Sequence, residues 1–199
     1  MPEAAKDYAG AKLGMWLFLF TEIVLFGGLF LLYASYLHRY QPDFHQAAKA
    51  LDTFIGGLNT VILLTSSLAM ALSITALQRG RPGLSLGYLA LTVALALGFL
   101  VNKFFEWSAK IGHGIYPGSP HLHDLPRGQE VFYGLYYAMT GLHGVHVLLG
   151  AGILSTVMFM VRRGRVHKGD FVILENSGLY WHVVDLIWIF LFPLFYLIT

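Results

Sequence analysis

Five apolar stretches, residues 13–37, 54–77, 84–107, 131–161 and 171–198, occupy most of this 199-residue chain. Each is long enough to cross the hydrocarbon core of a bilayer. With no water in that core to satisfy backbone N–H and C=O groups, such stretches must close their hydrogen bonds internally, as helices do. The rest of the sequence agrees: 56% of residues are hydrophobic, 12% are charged and the mean hydropathy is +0.62, outside the range of a soluble domain. The expectation is an all-α polytopic membrane protein, a bundle of five transmembrane helices forming a single membrane domain over residues 1–199. Little chain is left over for a separate catalytic domain. The first stretch follows a short polar arm containing Glu3, Lys6 and Asp7. At about 25 residues it exceeds the apolar core of a signal peptide, so it is expected to be retained.

The basic residues give an orientation. The amino-terminal arm and the second and fourth connections carry Lys6, Lys12, Arg79, Arg81, Arg162, Arg163, Arg165 and Lys168, eight in all, against Arg39, Lys49, Lys110 and Arg127 on the opposite side. By the positive-inside rule the amino terminus is expected in the cytoplasm and the carboxyl terminus in the periplasm. The net charge of +2 comes mostly from these short connections and points to topology, not to nucleic acid. Cysteine is absent, which excludes disulfides, thiolate metal sites, iron–sulfur clusters and a cysteine nucleophile. The connections over 39–53 and 112–128 are the long ones. The second holds Pro117, Pro120 and Pro126 and reads as irregular. No fixed-period repeat is present.

The polar residues inside the spans are the informative ones, because ionisable groups at membrane depth are costly and mark function by default. His182 and Asp185 stand three apart in the last stretch and so share a helix face, as do His143 and His146 in the fourth. Glu22 sits near the middle of the first. It reads either as a carboxyl hydrogen-bonded to another helix or as a proton-exchanging or lipid-contacting group. Lys103 and Glu106 can pair at the end of the third stretch, where a snorkelling lysine and the anchoring Trp107 suggest an interfacial structural role. Gly134, Ala138 and Gly141 form a small-residue stripe suited to close helix approach.

Together, Glu22, Glu106, His143, His146, His182 and Asp185 offer oxygen and nitrogen ligands on four helices. A buried metal pair or a haem held by histidines is therefore conceivable chemistry, but the Glu-x-x-His motif of di-iron bundles is missing. His113, His121 and His123 read as a solvated polar loop and not as a cation trap. Ser66, Ser67 and Ser177 lie in no nucleophile motif.

Five ordered blocks carry a resemblance: GMWLFLFTEIVLF (14–26), LNTVILLTSS (58–67), FFEW (104–107), GLHGVHV (141–147) and YWHVVDLIW (180–188). In this order they resemble subunit III of the haem-copper terminal oxidases, across essentially the whole membrane region. The resemblance implies an all-helical, non-catalytic subunit packed beside a partner that reduces oxygen to water. It implies no cofactor in this chain and no active site of its own, with haem and copper in the partner catalytic subunit. The partners it implies are subunit I, subunit II and other small subunits, in a bacterial inner membrane. Bound phospholipid, support of proton uptake and protection of the oxygen-reducing centre are the roles it carries. Residue by residue, it makes Glu22 the buried carboxylate of a lipid-associated cleft, with lipid contact there and at His182. It makes Glu106, His143, His146, His182 and Asp185 the polar groups of the bundle.

Two departures qualify the match. The mitochondrial type has two further amino-terminal helices, whereas this sequence begins at the carboxylate-bearing segment, as in the five-helix form of bacterial quinol oxidases. Residues 29–35 also lack the tryptophan and histidine found there in the mitochondrial type. The competing readings are an accessory subunit of a nitric oxide reductase or respiratory supercomplex and, from another class, an independent transporter or metal-dependent membrane enzyme. The absence of paired broken helices and of a di-iron motif weighs against the last.

Overall fold

A computed structural model of the chain describes residues 7–198. Glu3 and Lys6 of the amino-terminal arm lie outside the described residues. Five long helices are apolar enough to cross a membrane: α1 (Tyr8–Arg39), α3 (Thr53–Gln78), α4 (Pro82–Gly112), α6 (Arg127–Arg162) and α7 (Val172–Tyr196). They are the five expected spans, most of them several residues longer than their apolar cores. Two short helices complete the set among the described residues. The 112–128 connection, expected to be irregular, contains α5 (Pro120–His123), which corrects the sequence reading, and the 39–53 connection contains α2 (Gln41–Ala48).

Local chemistry sets the ends. Asp7 accepts from Gly10 N at 2.8 Å and Asp52 from Phe54 N and Ile55 N at 2.9 and 3.1 Å, capping free amides at the starts of α1 and α3. α3 and α6 both stop at a glycine with positive φ, Gly80 (71°) and Gly164 (70°). There Arg81 N reaches back to Ala76 O and Arg165 N to Met160 O, the six-to-one bonds of a helix closed by a left-handed residue.

Within α3, α4, α6 and α7 neighbouring helices meet end to start, whereas α1 runs parallel to α7, Tyr33 donating to Leu194 O at their ends and Asn176 to Ala11 O at their starts. Ser73 at the end of α3 bonds Ser85 at the start of α4, and Thr53 at the start of α3 donates to Tyr196 O at the end of α7. α3, α4, α6 and α7 form a four-helix bundle, and α1 lies along its α6–α7 edge. The share of each apolar window that is buried says the same, 11% for α1 and 50% for α7. Leu13, Leu17, Phe20, Val24 and Leu31 of α1 face outward, as apolar side chains do when the surrounding solvent is lipid.

Lipid tails are as apolar as leucine, so helix association relies on close packing and interhelical hydrogen bonds. Close packing is achieved at Gly150 and Gly56. A Cβ there would lie 2.8 Å from the Trp181 ring and 2.8 Å from the Tyr196 ring. The Gly134, Ala138 and Gly141 stripe does not serve as a seam along its length. Gly141 abuts Trp107, Gly134 has nothing within 4 Å and Ala138 is exposed. At one end, α2 inserts Phe44 edge-on against Phe132 and Tyr33, with ring centroids 5.3 and 5.4 Å apart, and Phe195 completes this aromatic plug. All of the described basic residues of the more numerous set are at the other end.

Candidate functional site

Four of the spans carry the polar residues, and the bundle separates them into distinct centres. The most connected joins α4, α6 and α7. Lys103 Nζ donates to Glu106 Oε2 (3.0 Å), Tyr136 Oη (3.1 Å) and Tyr196 Oη (2.9 Å), which uses all three of its protons. Both tyrosine hydroxyls donate to Glu106 Oε1 at 2.7 Å. The result is a closed, charge-balanced cluster in which one cation meets one carboxylate through two phenols. The ammonium also sits 5.0, 5.3 and 5.6 Å from the ring centroids of Tyr136, Trp188 and Tyr196. Lys103 and Glu106 are 6% exposed. The interfacial snorkelling expected of this pair is therefore corrected: tyrosines from two other helices supply the hydrogen bonds that let it stay inside.

A second centre lies at the bundle edge. Glu22 Oε2 of α1 is 2.8 Å from His146 Nε2 of α6. His146 Nδ1 is 2.8 Å from the Leu142 carbonyl oxygen, which can only accept, so Nδ1 carries a proton. One further proton then lies between Nε2 and the Glu22 carboxyl. Whichever atom holds it, the contact spans α1 and α6 and remains a hydrogen bond. The two side chains are 14% and 12% exposed, in a region where the outward faces are apolar.

His182 and Asp185 do not bond to each other. His182 Nδ1 bonds to Ser67 Oγ of α3 at 2.7 Å. Asp185 is buried one turn further along, and neither of its oxygens has a well-formed hydrogen bond among the described residues; Ser67, within its electrostatic reach, is engaged by His182. His143 packs against the rings of Phe99 and Trp188, at centroid distances of 5.5 and 5.3 Å, with no hydrogen bond to either nitrogen among the described residues. Shared helix faces are thus realised, but His143 and His146 point into different surroundings, one dry and aromatic, the other toward α1.

Sequence reasoning singled out six residues. The structure brings Glu22 to His146 and leaves Glu106, His143, His182 and Asp185 in separate contacts. Among the described residues no three histidine, aspartate or glutamate side chains converge as metal ligands would. The residues missed were Tyr136 and Tyr196, to which the sequence assigned no role, and Ser67, which it placed in a motif of the resemblance but in no polar contact. Asn59 and Asn102 also pair across α3 and α4, at 3.0 Å. The signal available for them was a polar residue in each of two neighbouring spans. In the 112–128 connection His123 bonds Glu130 at 2.8 Å.

What this arrangement can do chemically is hold helices in register and hold a proton at the α1 edge. Comparison with known proteins gives the context. The chain is 29% identical over 188 residues to cytochrome c oxidase subunit 3 of Thermostichus vulcanus, covering 94% of this chain and 87% of that protein. It is 29% identical over 189 residues to a probable quinol oxidase subunit 3 of Staphylococcus haemolyticus, covering 94% of this chain and 88% of that one. A heme-copper oxidase subunit I+III of Aeropyrum pernix is 29% identical over 197 residues, which cover 92% of this chain and 22% of that longer protein. The family model for cytochrome c oxidase subunit III matches residues 4–199. With all five helices inside that match, the chain belongs to the cytochrome c oxidase subunit III family.

Proposed function

We propose that this chain is the non-catalytic subunit III of a respiratory haem-copper oxidase, multi-pass in a bacterial inner membrane, with the oxygen-reducing haem and copper in a partner subunit. The observation that carries this reading is the family match along residues 4–199. The polar interior supports it, because Glu22, Glu106, His146 and His182 are engaged in contacts between helices. Subunit I is the direct partner, a reading supported by the relative named as heme-copper oxidase subunit I+III. Subunit II and smaller subunits complete the assembly.

The chain supports proton uptake and the durability of the catalytic subunit, and binds phospholipid at the α1 edge. The Glu22–His146 pair supports that role by keeping a transferable proton where apolar side chains otherwise face lipid. The amino terminus is cytoplasmic and the carboxyl terminus periplasmic, a reading supported by the basic residues gathered at one end of the bundle.

The test is gentle solubilisation followed by isolation through this chain. A haem-bearing polypeptide with several spans should accompany it in fixed proportion. Recovery of the chain alone, haem-free, from membranes whose oxygen consumption is unchanged by its deletion would reject the proposal.

A further inference from the structure

The end of the bundle that carries α2 and α5 holds a cavity of about 610 Å³ between the starts of α3 and α5 and the end of α4. Its outer lining is polar and exposed, with Asp52, His113 and His121. Its inner lining includes Glu106, which is 6% exposed. The cavity thus runs from side chains that meet the exterior to the carboxylate of the buried Lys103–Glu106–Tyr136–Tyr196 cluster. Lys110 also lines it, donating to Ala50 O at 3.3 Å with its ammonium 5.9 Å from the Tyr136 ring centroid. The cavity at the opposite end, about 470 Å³, has no carboxylate in its lining.

A carboxylate that served only to neutralise Lys103 would be best sealed from water, because their attraction weakens as the local dielectric rises. Glu106 instead lines a cavity with an exposed mouth, and a polar space of this size admits water. Glu106 Oε1 accepts from both tyrosines, whereas Oε2 accepts only from Lys103 and keeps capacity for a proton. The Lys103 ammonium has supports besides this carboxylate. Two phenol oxygens accept from it, and the rings of Tyr136, Trp188 and Tyr196 surround it, so the cation stays held when the carboxylate is neutralised. The other charged and titratable groups facing Glu106 are Lys110 on α4, Tyr137 on α6, Asp52 ahead of α3, and His113 and His121 at the mouth.

We propose that Glu106 is a proton-binding site that exchanges with the aqueous phase through this cavity, on the side that the orientation given above makes periplasmic. One proton passes from a hydronium ion to a Glu106 oxygen, an O–H bond forms and water is left. The cluster changes from neutral to a single positive charge, held by the hydroxyls and rings around Lys103. Release reverses the step. Neither Glu22 nor His146 takes part, so the site is independent of the role of the α1 edge. Only the naming of the side rests on the functional reading.

The experiment is infrared difference spectroscopy of the assembly in which the chain is purified, recorded as the medium is acidified and then exchanged into heavy water. The carbonyl stretch of a protonated carboxylic acid should appear on acidification, vanish on return to neutral pH and shift on deuteration. Glu106→Gln should abolish this band, which separates it from the carboxyls of Glu22 and Asp185. Tyr196→Phe should keep the band and move it to higher frequency, since one hydrogen bond to the carboxyl is lost while the ring beside Lys103 stays. Ala109→Trp, which places an indole in the cavity lining, should slow deuteration several-fold. Absence of a Glu106-dependent band at every pH at which the assembly stays intact would overturn the proposal. Deuteration as fast in Ala109→Trp as in the unaltered assembly would overturn the route through the cavity. Should Glu106→Gln fail to assemble, Tyr196→Phe decides the matter: a band that it leaves unmoved belongs to another carboxyl, and the assignment falls.

Discussion

At the scale of single residues, the Lys103–Glu106 pair shows how a membrane interior tolerates charge. Taking two ions out of water is costly, and their attraction compensates only when the remaining hydrogen-bonding capacity is met. Tyr136 and Tyr196 meet it here, each accepting from Lys103 and donating to Glu106. Lys103→Met should therefore destabilise the chain by about 3 kcal/mol, because it leaves a carboxylate buried without its cation. Lys103→Met with Glu106→Leu should cost no more than the single change. Thermal release of this chain from the purified assembly reads both, and an unaltered release temperature in Lys103→Met would show that the cluster is dispensable. The i, i+3 spacing made the pair legible in the sequence. Its burial was not legible, because the tyrosines that make burial possible lie 30 and 90 residues from Glu106 along the chain.

At the scale of elements, α6 and α7 approach where glycine allows it. A Cβ at Gly150 would lie 2.8 Å from the Trp181 ring, whose indole N–H is already committed to Ser66 Oγ at 3.1 Å. Gly150→Ala should therefore cost about 1–3 kcal/mol through overpacking. Gly134→Ala, in open space, should be close to neutral despite belonging to the more conspicuous small-residue stripe. Melting of the two variants side by side checks this, and equal stability would contradict the packing described for α6. The five spans were legible because hydropathy over twenty residues is a strong signal. α2 and α5 were not. Their eight and four residues are polar on average, and α2 acquires its place through Phe44, whose aromatic partners lie on α1 and α6. The direction of His182 escaped the sequence for a similar reason: periodicity names a face, but which neighbour that face meets depends on how α3 and α7 cross.

At the scale of the whole molecule, five spans that alternate in direction would place the two ends of the described chain on opposite sides, and the orientation proposed above puts the amino-terminal end in the cytoplasm. The natural sequence has no cysteine, so introduced thiols report cleanly. Arg165→Cys should react with a membrane-impermeant reagent only from the cytoplasmic face, and His121→Cys only from the periplasmic face; the reverse pattern would invert the topology.

On the function proposed above, this chain sustains a catalytic centre it does not contain. The direct measurement is the turnover lifetime of the haem-bearing assembly prepared with and without the chain, at equal haem content. The prediction is an unchanged haem spectrum and a similar initial rate of oxygen consumption, with inactivation several-fold faster when the chain is missing, and a partial version of that effect in Glu22→Leu. Loss of the haem spectrum and of the initial rate on removing the chain, or an equal lifetime without it, would rule out this role.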